Sequence, residues 1–115
     1  MKKIFYKDIT EKKEFDRVGY HYTCIKSDNE NHIYLYEMHH IDKELEMPYM
    51  EYELVKGVKK KNPDGNIVYA YPNDEQFGTY GWFICGKKEY CKQKINEKYR
   101  SLVVGNGNKT LSWFE

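Results

Sequence analysis

Two strand-like runs on either side of a short polar segment are the feature that most constrains how this chain can fold. Residues 17–27 repeat with a period of two, and residues 32–41 are rich in β-branched and aromatic side chains; both patterns are typical of strands. Residues 28–31 (DNEN) separate them, and Asn and Asp tolerate the backbone of tight turns. The pattern predicts an antiparallel hairpin.

A second hairpin is predicted around residues 62–65 (NPDG). Pro63 presets the φ angle of a type I turn, and Gly65 supplies the positive φ that closes it. We therefore expect strands over residues 49–59 and 67–71, joined by this turn and preceded by a charged connection.

A long helix is predicted near the C-terminal end. Residues 80–85 read as a further strand that Gly86 ends, and residues 87–102 follow with a helical apolar period. These elements predict an α+β fold, an antiparallel meander of about five strands with one long C-terminal helix packed on one face. We expect one domain over residues 1–115. The apolar stripe of the helix consists of Cys91, Ile95, Tyr99 and Leu102.

Four smaller elements complete the expected organisation. Residues 3–7 suggest an edge strand, and residues 8–16 a short helix whose first residue is a capping aspartate. Residues 72–78 suggest one helical turn. The aromatic tail at residues 110–114 is expected either to dock as a last strand or to pack on the sheet.

Composition excludes several classes of protein. Charged residues are 32% and aromatic residues 17% of the 115 residues, which argues against both disorder and a membrane protein. The apolar runs are too short to span a bilayer. Three cysteines without a CxxC pair indicate reduced thiols, and we expect a cytoplasmic location. Abundant Lys, Asn, Ile and Tyr indicate an AT-rich genome, as in many bacteria and their phages.

The predicted register of the first hairpin assigns side chains to two faces. Pairing Ser27 with His32 places Tyr22 opposite Glu37. One face, expected to be the core, then collects Val18, Tyr20, Tyr22, Cys24, Ile33, Leu35 and Ile41. The other face collects His21, Thr23, Ile25, Tyr34, Tyr36, Met38 and His40.

The leading functional hypothesis is a non-enzymatic binding protein, such as a phage or mobile-element accessory protein or an inhibitor. One helix can cover only one face of the sheet, and exposed tyrosines are enriched at protein interfaces. The expected partner is another protein or a second copy of the chain. A competing expectation is that residues 1–16 and the tail fold over this surface. The proposed contact residues are His21, Tyr34, Tyr36, Met38 and His40.

Nucleic-acid binding is an alternative. Lysines crowd the second hairpin and the helix, with tyrosines nearby on which bases could stack. The net charge of +1 is far from the basic footprint of most nucleic-acid binders, although residues 1–54 carry −4 and residues 55–115 carry +5. The candidate basic surface consists of Lys59, Lys60, Lys61, Lys88 and Lys92.

A small enzyme centred on His21 and His40 is the third possibility. The predicted register makes these residues diagonal neighbours, which would suit acid–base chemistry or metal binding. Two imidazoles are fewer ligands than zinc usually takes, so no metal or other cofactor is expected. No phosphate-binding loop or serine nucleophile motif occurs in the sequence.

Overall fold

The computed structural model describes residues 13–70, 81–103 and 113–115. The expected strand at 3–7, the helical turn at 72–78 and most of the helix at 8–16 therefore lie outside the described residues. The described strands are β1 (Glu14–Arg17), β2 (Tyr20–Asp28), β3 (Ile33–His40), β4 (Met50–Lys56), β5 (Val58–Lys61), β6 (Ile67–Ala70) and β7 (Gly81–Gly86). A 3-10 turn (Lys43–Leu45) precedes β4, and the helix α1 (Lys88–Leu102) follows β7.

The predicted α+β fold is confirmed. Five strands form one antiparallel sheet in the order β1-β2-β3-β4-β7, and α1 packs against β4 and β7. Strands β5 and β6 follow β4 and precede β7 in the chain, and they form a separate two-stranded hairpin. The predicted single strand at 49–59 is therefore wrong, because the chain leaves the main sheet at Gly57, whose N–H donates to the carbonyl of His32 at 2.7 Å.

The second hairpin turn is confirmed. Gly65 has φ +92°, as the turn requires, and its N–H donates to the carbonyl of Asn62 at 2.9 Å. Asn62 in turn donates to the carbonyl of Asn66 at 2.8 Å, and Lys61 pairs with Ile67.

The predicted helix at 8–16 is wrong in its described part, where β1 pairs with β2. Phe15 faces Tyr22 across the two strands, and their rings stack with centroids 4.6 Å apart. The two-residue connection uses Val18 at φ +45° and Gly19 at φ +85°. Two consecutive residues with positive φ match the twist of a tight hairpin. The packing of aromatic rings across β1 and β2 therefore outweighs the helix-capping signal that the sequence carries.

The predicted register of the first hairpin is also wrong. Tyr22 pairs with Met38 rather than Glu37, and Tyr20 pairs with His40. The register shifts again between Cys24 and Lys26, which leaves Ile25 as the extra residue of a β-bulge. Because strand side chains alternate, a one-residue slip reverses which residues of β2 and β3 share a face.

The sheet consequently has a helix face and a tyrosine face. On the helix face, the predicted apolar stripe of α1 is confirmed: Cys91, Ile95 and Tyr99 are buried, and Leu102 packs beside them. The sheet contributes residues from β3 and β4 to the same core. They are Ile33, Leu35, Tyr52 and Leu54.

The described part of the aromatic tail, Trp113 and Phe114, packs on the helix face, and residues 110–112 lie outside the described residues. Trp113 and Phe114 contact the helix-face core, and the Trp113 ring stacks on Tyr99 with centroids 4.3 Å apart. The buried Asn96 holds this segment: its Oδ1 accepts from the N–H groups of Trp113 and Phe114, each at 2.8 Å, and its Nδ2 donates to the carbonyl of Phe114 at 2.8 Å.

The tyrosine face is a second core, not an open surface. Its buried residues are Tyr22, Tyr34, Tyr36, Met38 and Val55, with Phe15 and Tyr69 packed against them. Tyr69 comes from β6 and stacks on His32 with centroids 3.4 Å apart, so the β5–β6 hairpin contributes to this layer. Two of the residues expected in the core, Val18 and Ile41, are instead exposed at one end of the sheet.

Replacing Ile95 with Ala should lower the free energy of unfolding by about 2–4 kcal/mol, because the side chain is fully buried between α1 and the sheet. Ile67→Ala is the matched control, since Ile67 is exposed on β6 and should change stability by less than about 0.5 kcal/mol. Urea denaturation measures both values. Equal losses in the two variants would contradict the packing of α1 described here.

Candidate functional site

The five predicted contact residues do not form one exposed surface. Tyr34, Tyr36 and Met38 are at most 5% exposed. The expectation that they face solvent is wrong, because the observed register places them together with Tyr22 in the tyrosine-face core.

His21 lies on the opposite face from His40, so the predicted histidine pair is not formed. The strand partner of His21 is His39, whereas His40 pairs with Tyr20. His21 Nδ1 lies 2.7 Å from Asp16 Oδ1, and its Nε2 lies 3.6 Å from Glu14 Oε1. The interaction with Asp16 raises the pKa of His21. The structure therefore does not bring His21 and His40 together into one site.

His39 is a second histidine held by carboxylates. Its Nε2 lies 2.6 Å from Glu37 Oε1, and its Nδ1 lies 3.2 Å from Glu46 Oε1. The hydrogen bond with Glu37, followed by that with Glu46, raises the pKa of His39. The same contact with His39 lowers the pKa of Glu46. The imidazole therefore ties β3 to the loop that contains the 3-10 turn.

His40 belongs to a small polar cluster at the end of the tyrosine face. Its Nε2 lies 3.3 Å from Glu51 Oε2, and the Tyr20 hydroxyl donates to Glu51 Oε1 at 3.1 Å. Burial, and then the hydrogen bond to Glu51, raises the pKa of Tyr20. Each carboxylate oxygen of Glu51 thus has a partner, the His40 imidazole or the Tyr20 hydroxyl. These contacts stabilise this end of the sheet.

Metal ligation finds no support in the described parts of the chain. Across residues 13–70, 81–103 and 113–115, no three His, Cys, Asp or Glu side chains are grouped so as to hold a metal ion.

The candidate basic surface is divided between two layers. Lys59, Lys60 and Lys61 lie on β5, in the hairpin that packs on the tyrosine face. Lys88 and Lys92 lie on α1, which packs on the helix face. The structure does not bring the two groups of lysines together into one surface.

A groove beside β7 is a concave surface that sequence reasoning missed. Among the described residues, β7 lies at the edge of the sheet and pairs only with β4. The groove runs between this edge and α1 and has a volume of about 550 Å³. Its lining includes Trp82, Phe83, Ile84 and Cys85 from β7 and Tyr90, Lys94, Glu97, Lys98 and Ser101 from α1.

Two aromatic rings beside β7 are left exposed by the fold, and they lie on opposite sides of the strand. Phe83 pairs with Glu53, which pairs with Tyr36 on the tyrosine face, whereas Tyr90 lies on α1. Phe83 is 52% exposed and Tyr90 is 51% exposed, unusual fractions for such large side chains. Gly86 allows Tyr90 to lie against the end of β7: it has φ +144°, and a Cβ there would come within 3.0 Å of the Tyr90 ring. Position 86 therefore requires glycine both for its backbone and for this contact.

Lysines supply the charge of the groove. Lys98 Nζ lies 4.9 Å from the centre of the Trp82 ring, in a cation–π contact. Lys94 Nζ lies 3.4 Å from Glu97 Oε2 and 5.7 Å from the centre of the Tyr90 ring. The helical spacing of Tyr90, Lys94 and Lys98 places them in one row, a signal that was readable in the sequence but indistinguishable there from a solvated helix surface.

Comparison with protein-family models, with curated proteins and with solved structures found no match to this chain. Within the described residues, no helix combines the length and apolar character needed to cross a membrane.

The raised pKa of His39 predicts a pH-dependent contribution to stability. Protonated His39 is favoured in the folded state, so its contribution is fully present below the unfolded pKa of about 6.5 and is lost as pH rises through the folded pKa. The wild type should therefore lose stability relative to His39→Gln as pH rises above about 6.5. Urea midpoints of both proteins across this range measure the effect. A constant difference between them would contradict the carboxylate contacts of His39.

Proposed function

We propose that this chain is a non-enzymatic protein-binding domain that holds an extended segment of its partner in the groove between β7 and α1. The observation that carries the proposal is the exposure of Phe83 and Tyr90 beside an edge strand. An edge strand presents backbone N–H and C=O groups that a further strand can pair with. Addition of a strand to a sheet edge is a common mode of peptide recognition.

The size of the groove suits a short segment. Strand β7 has six residues, which corresponds to about 20 Å of extended chain. Backbone pairing along this length would supply affinity, and contacts with Phe83, Tyr90 and the lysines would supply selectivity. Aromatic side chains that are partly exposed before binding are frequent hot spots of protein interfaces.

The other two function classes gain no comparable support. The two histidines of the enzyme hypothesis lie on opposite faces, and the lysines of the nucleic-acid hypothesis lie in opposite layers. The composition remains typical of a small accessory protein of a phage or mobile element that acts in the cytoplasm, and the proposed function is compatible with that origin.

Selection from a display library of random peptides tests the proposal. The wild type should enrich peptides, and a bound peptide should slow the reaction of the exposed Cys85 thiol with a thiol reagent, because Cys85 lines the groove. The double variant Phe83→Ala, Tyr90→Ala should weaken binding of the selected peptides by roughly tenfold or more. Ile67→Ala is the matched control, an exposed apolar residue on β6 that should leave binding unchanged.

Two results would overturn the proposal. One is the absence of enrichment by a folded wild-type protein. The other is enrichment of peptides whose binding is equally strong in the double variant and whose presence does not protect Cys85.

A further inference from the structure

The loop between β3 and β4 has the composition of a ligand for a basic, aromatic groove. Residues 42–49 (DKELEMPY) carry three acidic side chains and one lysine. Three large apolar side chains alternate along the second half of the segment, and each is at least half exposed: Leu45, Met47 and Tyr49. Exposed apolar residues that are bordered by charge mark interaction surfaces more often than scattered single residues do.

Side-chain contacts hold the loop in place between residues 42 and 46. Asp42 Oδ1 accepts a hydrogen bond from the N–H of Glu44 at 3.1 Å and so caps the 3-10 turn. Glu46 lies 3.2 Å from His39 on β3, and its other oxygen lies 3.9 Å from Lys43. The segment is therefore presented in a defined shape, which reduces the entropy that a partner would have to overcome on binding.

The charge of the groove is opposite to that of the loop. The helix from Lys88 to Leu102 carries five basic and two acidic side chains, and Lys94 and Lys98 line the groove itself. The same contrast divides the whole chain, since residues 1–54 have a net charge of −4 and residues 55–115 of +5. Complementary charge of this kind sets specificity and orientation at an interface.

The loop is not placed to fill the groove of its own chain. Met50, the first residue of β4, pairs with Gly86, the last residue of β7, so Tyr49 lies beyond the end of the β7 edge. The contact between Glu46 and His39 holds the loop over β3, and β4 separates β3 from β7 in the sheet. The loop thus lies near the Cys85 end of the groove, which continues along β7 to Trp82, and it does not occupy the groove of its own chain.

We infer that two copies of this chain form a reciprocal dimer in which the 42–49 loop of each copy occupies the β7–α1 groove of the other. This inference rests on the proposed function of the groove and names its occupant. A two-fold axis relates the two copies, so that each contributes one loop and one groove and both contacts form at once. Such an isologous contact closes on itself and does not propagate into a filament.

Direct pairing of the two β7 edges is the less favourable arrangement. It would bring Lys94 and Lys98 of both copies close together, and juxtaposed like charges are destabilising. The loop instead supplies Glu44 to these lysines and Leu45 or Met47 to the exposed rings, while Glu46 keeps its contacts with His39 and Lys43.

Sedimentation velocity of charge-reversed variants tests the inference. The wild type should dimerise with increasing concentration, and about 1 M salt should weaken the dimer, since the screening length there is about 3 Å. Glu44→Lys alone, and Lys94→Glu with Lys98→Glu, should each weaken dimerisation by roughly tenfold or more. An equimolar mixture of the two variants should recover dimerisation, because both loop–groove contacts of the mixed dimer pair opposite charges: the reversed loop meets the reversed groove, and the other contact is wild type on both sides.

Matched controls reverse charge elsewhere. Glu30→Lys lies in the turn between β2 and β3, and Lys59→Glu lies on β5; both residues are exposed and both variants should dimerise as the wild type does. Circular dichroism establishes that each variant is folded.

The outcomes separate this inference from the proposed function. A wild type that stays monomeric but selects peptides through Phe83 and Tyr90 overturns the dimer and leaves the groove as a site for a different partner. A dimer that the loop and groove reversals do not weaken also overturns it. A monomer that selects no peptide overturns both.

Discussion

Burial of β3 from both sides is the constraint on which the rest of the structure depends. Ile33, Tyr34, Leu35 and Tyr36 are consecutive, and each is at most 2% exposed. Since consecutive strand residues point to opposite faces, the sheet must be covered on both. The helix and the Trp113-Phe114 tail cover one face, and the hairpin residue Tyr69 with Phe15 contributes to the cover of the other. A run of four buried residues in a central strand therefore leaves few places where this protein can meet a partner.

Those places are the edges and ends of the sheet. At the β7 edge the fold leaves Phe83 and Tyr90 half exposed, beside lysines of α1. At the end that carries the 42–49 loop it leaves Leu45, Met47 and Tyr49 exposed among carboxylates. The buried tyrosines meanwhile serve the core: burial, and then the nearby Glu53 carboxylate, raises the pKa of Tyr22 to about 12, so its hydroxyl stays protonated at physiological pH. Tyrosine content by itself was thus a poor guide to the binding surface.

The features that the sequence predicted correctly are those that depend on interactions between residues close together in the chain. The turn at 62–65, the stripe of α1 and the α+β class follow from Gly65, from the helical spacing of Cys91, Ile95 and Tyr99, and from alternation in the strands. The register of the first hairpin did not follow, because the bulge at Ile25 leaves no mark in the alternation pattern. That single extra residue, with a turn in which His32 has φ +58°, decided which side chains share a face. The predicted pairing of His21 with His40 was wrong for this reason. The groove between β7 and α1 was not predicted, because the order of strands in a sheet is set by long-range contacts and not by local sequence.

Residue-resolved amide hydrogen exchange of the native protein is the most direct test of the central claim, that β3 is doubly covered while the β7 edge is available for pairing. The account predicts that β3 amides are among the slowest to exchange, and that β7 amides directed away from β4 exchange much faster than those bonded to β4. Dilute protein is required, so that association does not protect the edge. Uniformly slow exchange along β7 in the dilute monomer would contradict the account, because it would show that the edge is already paired within the chain.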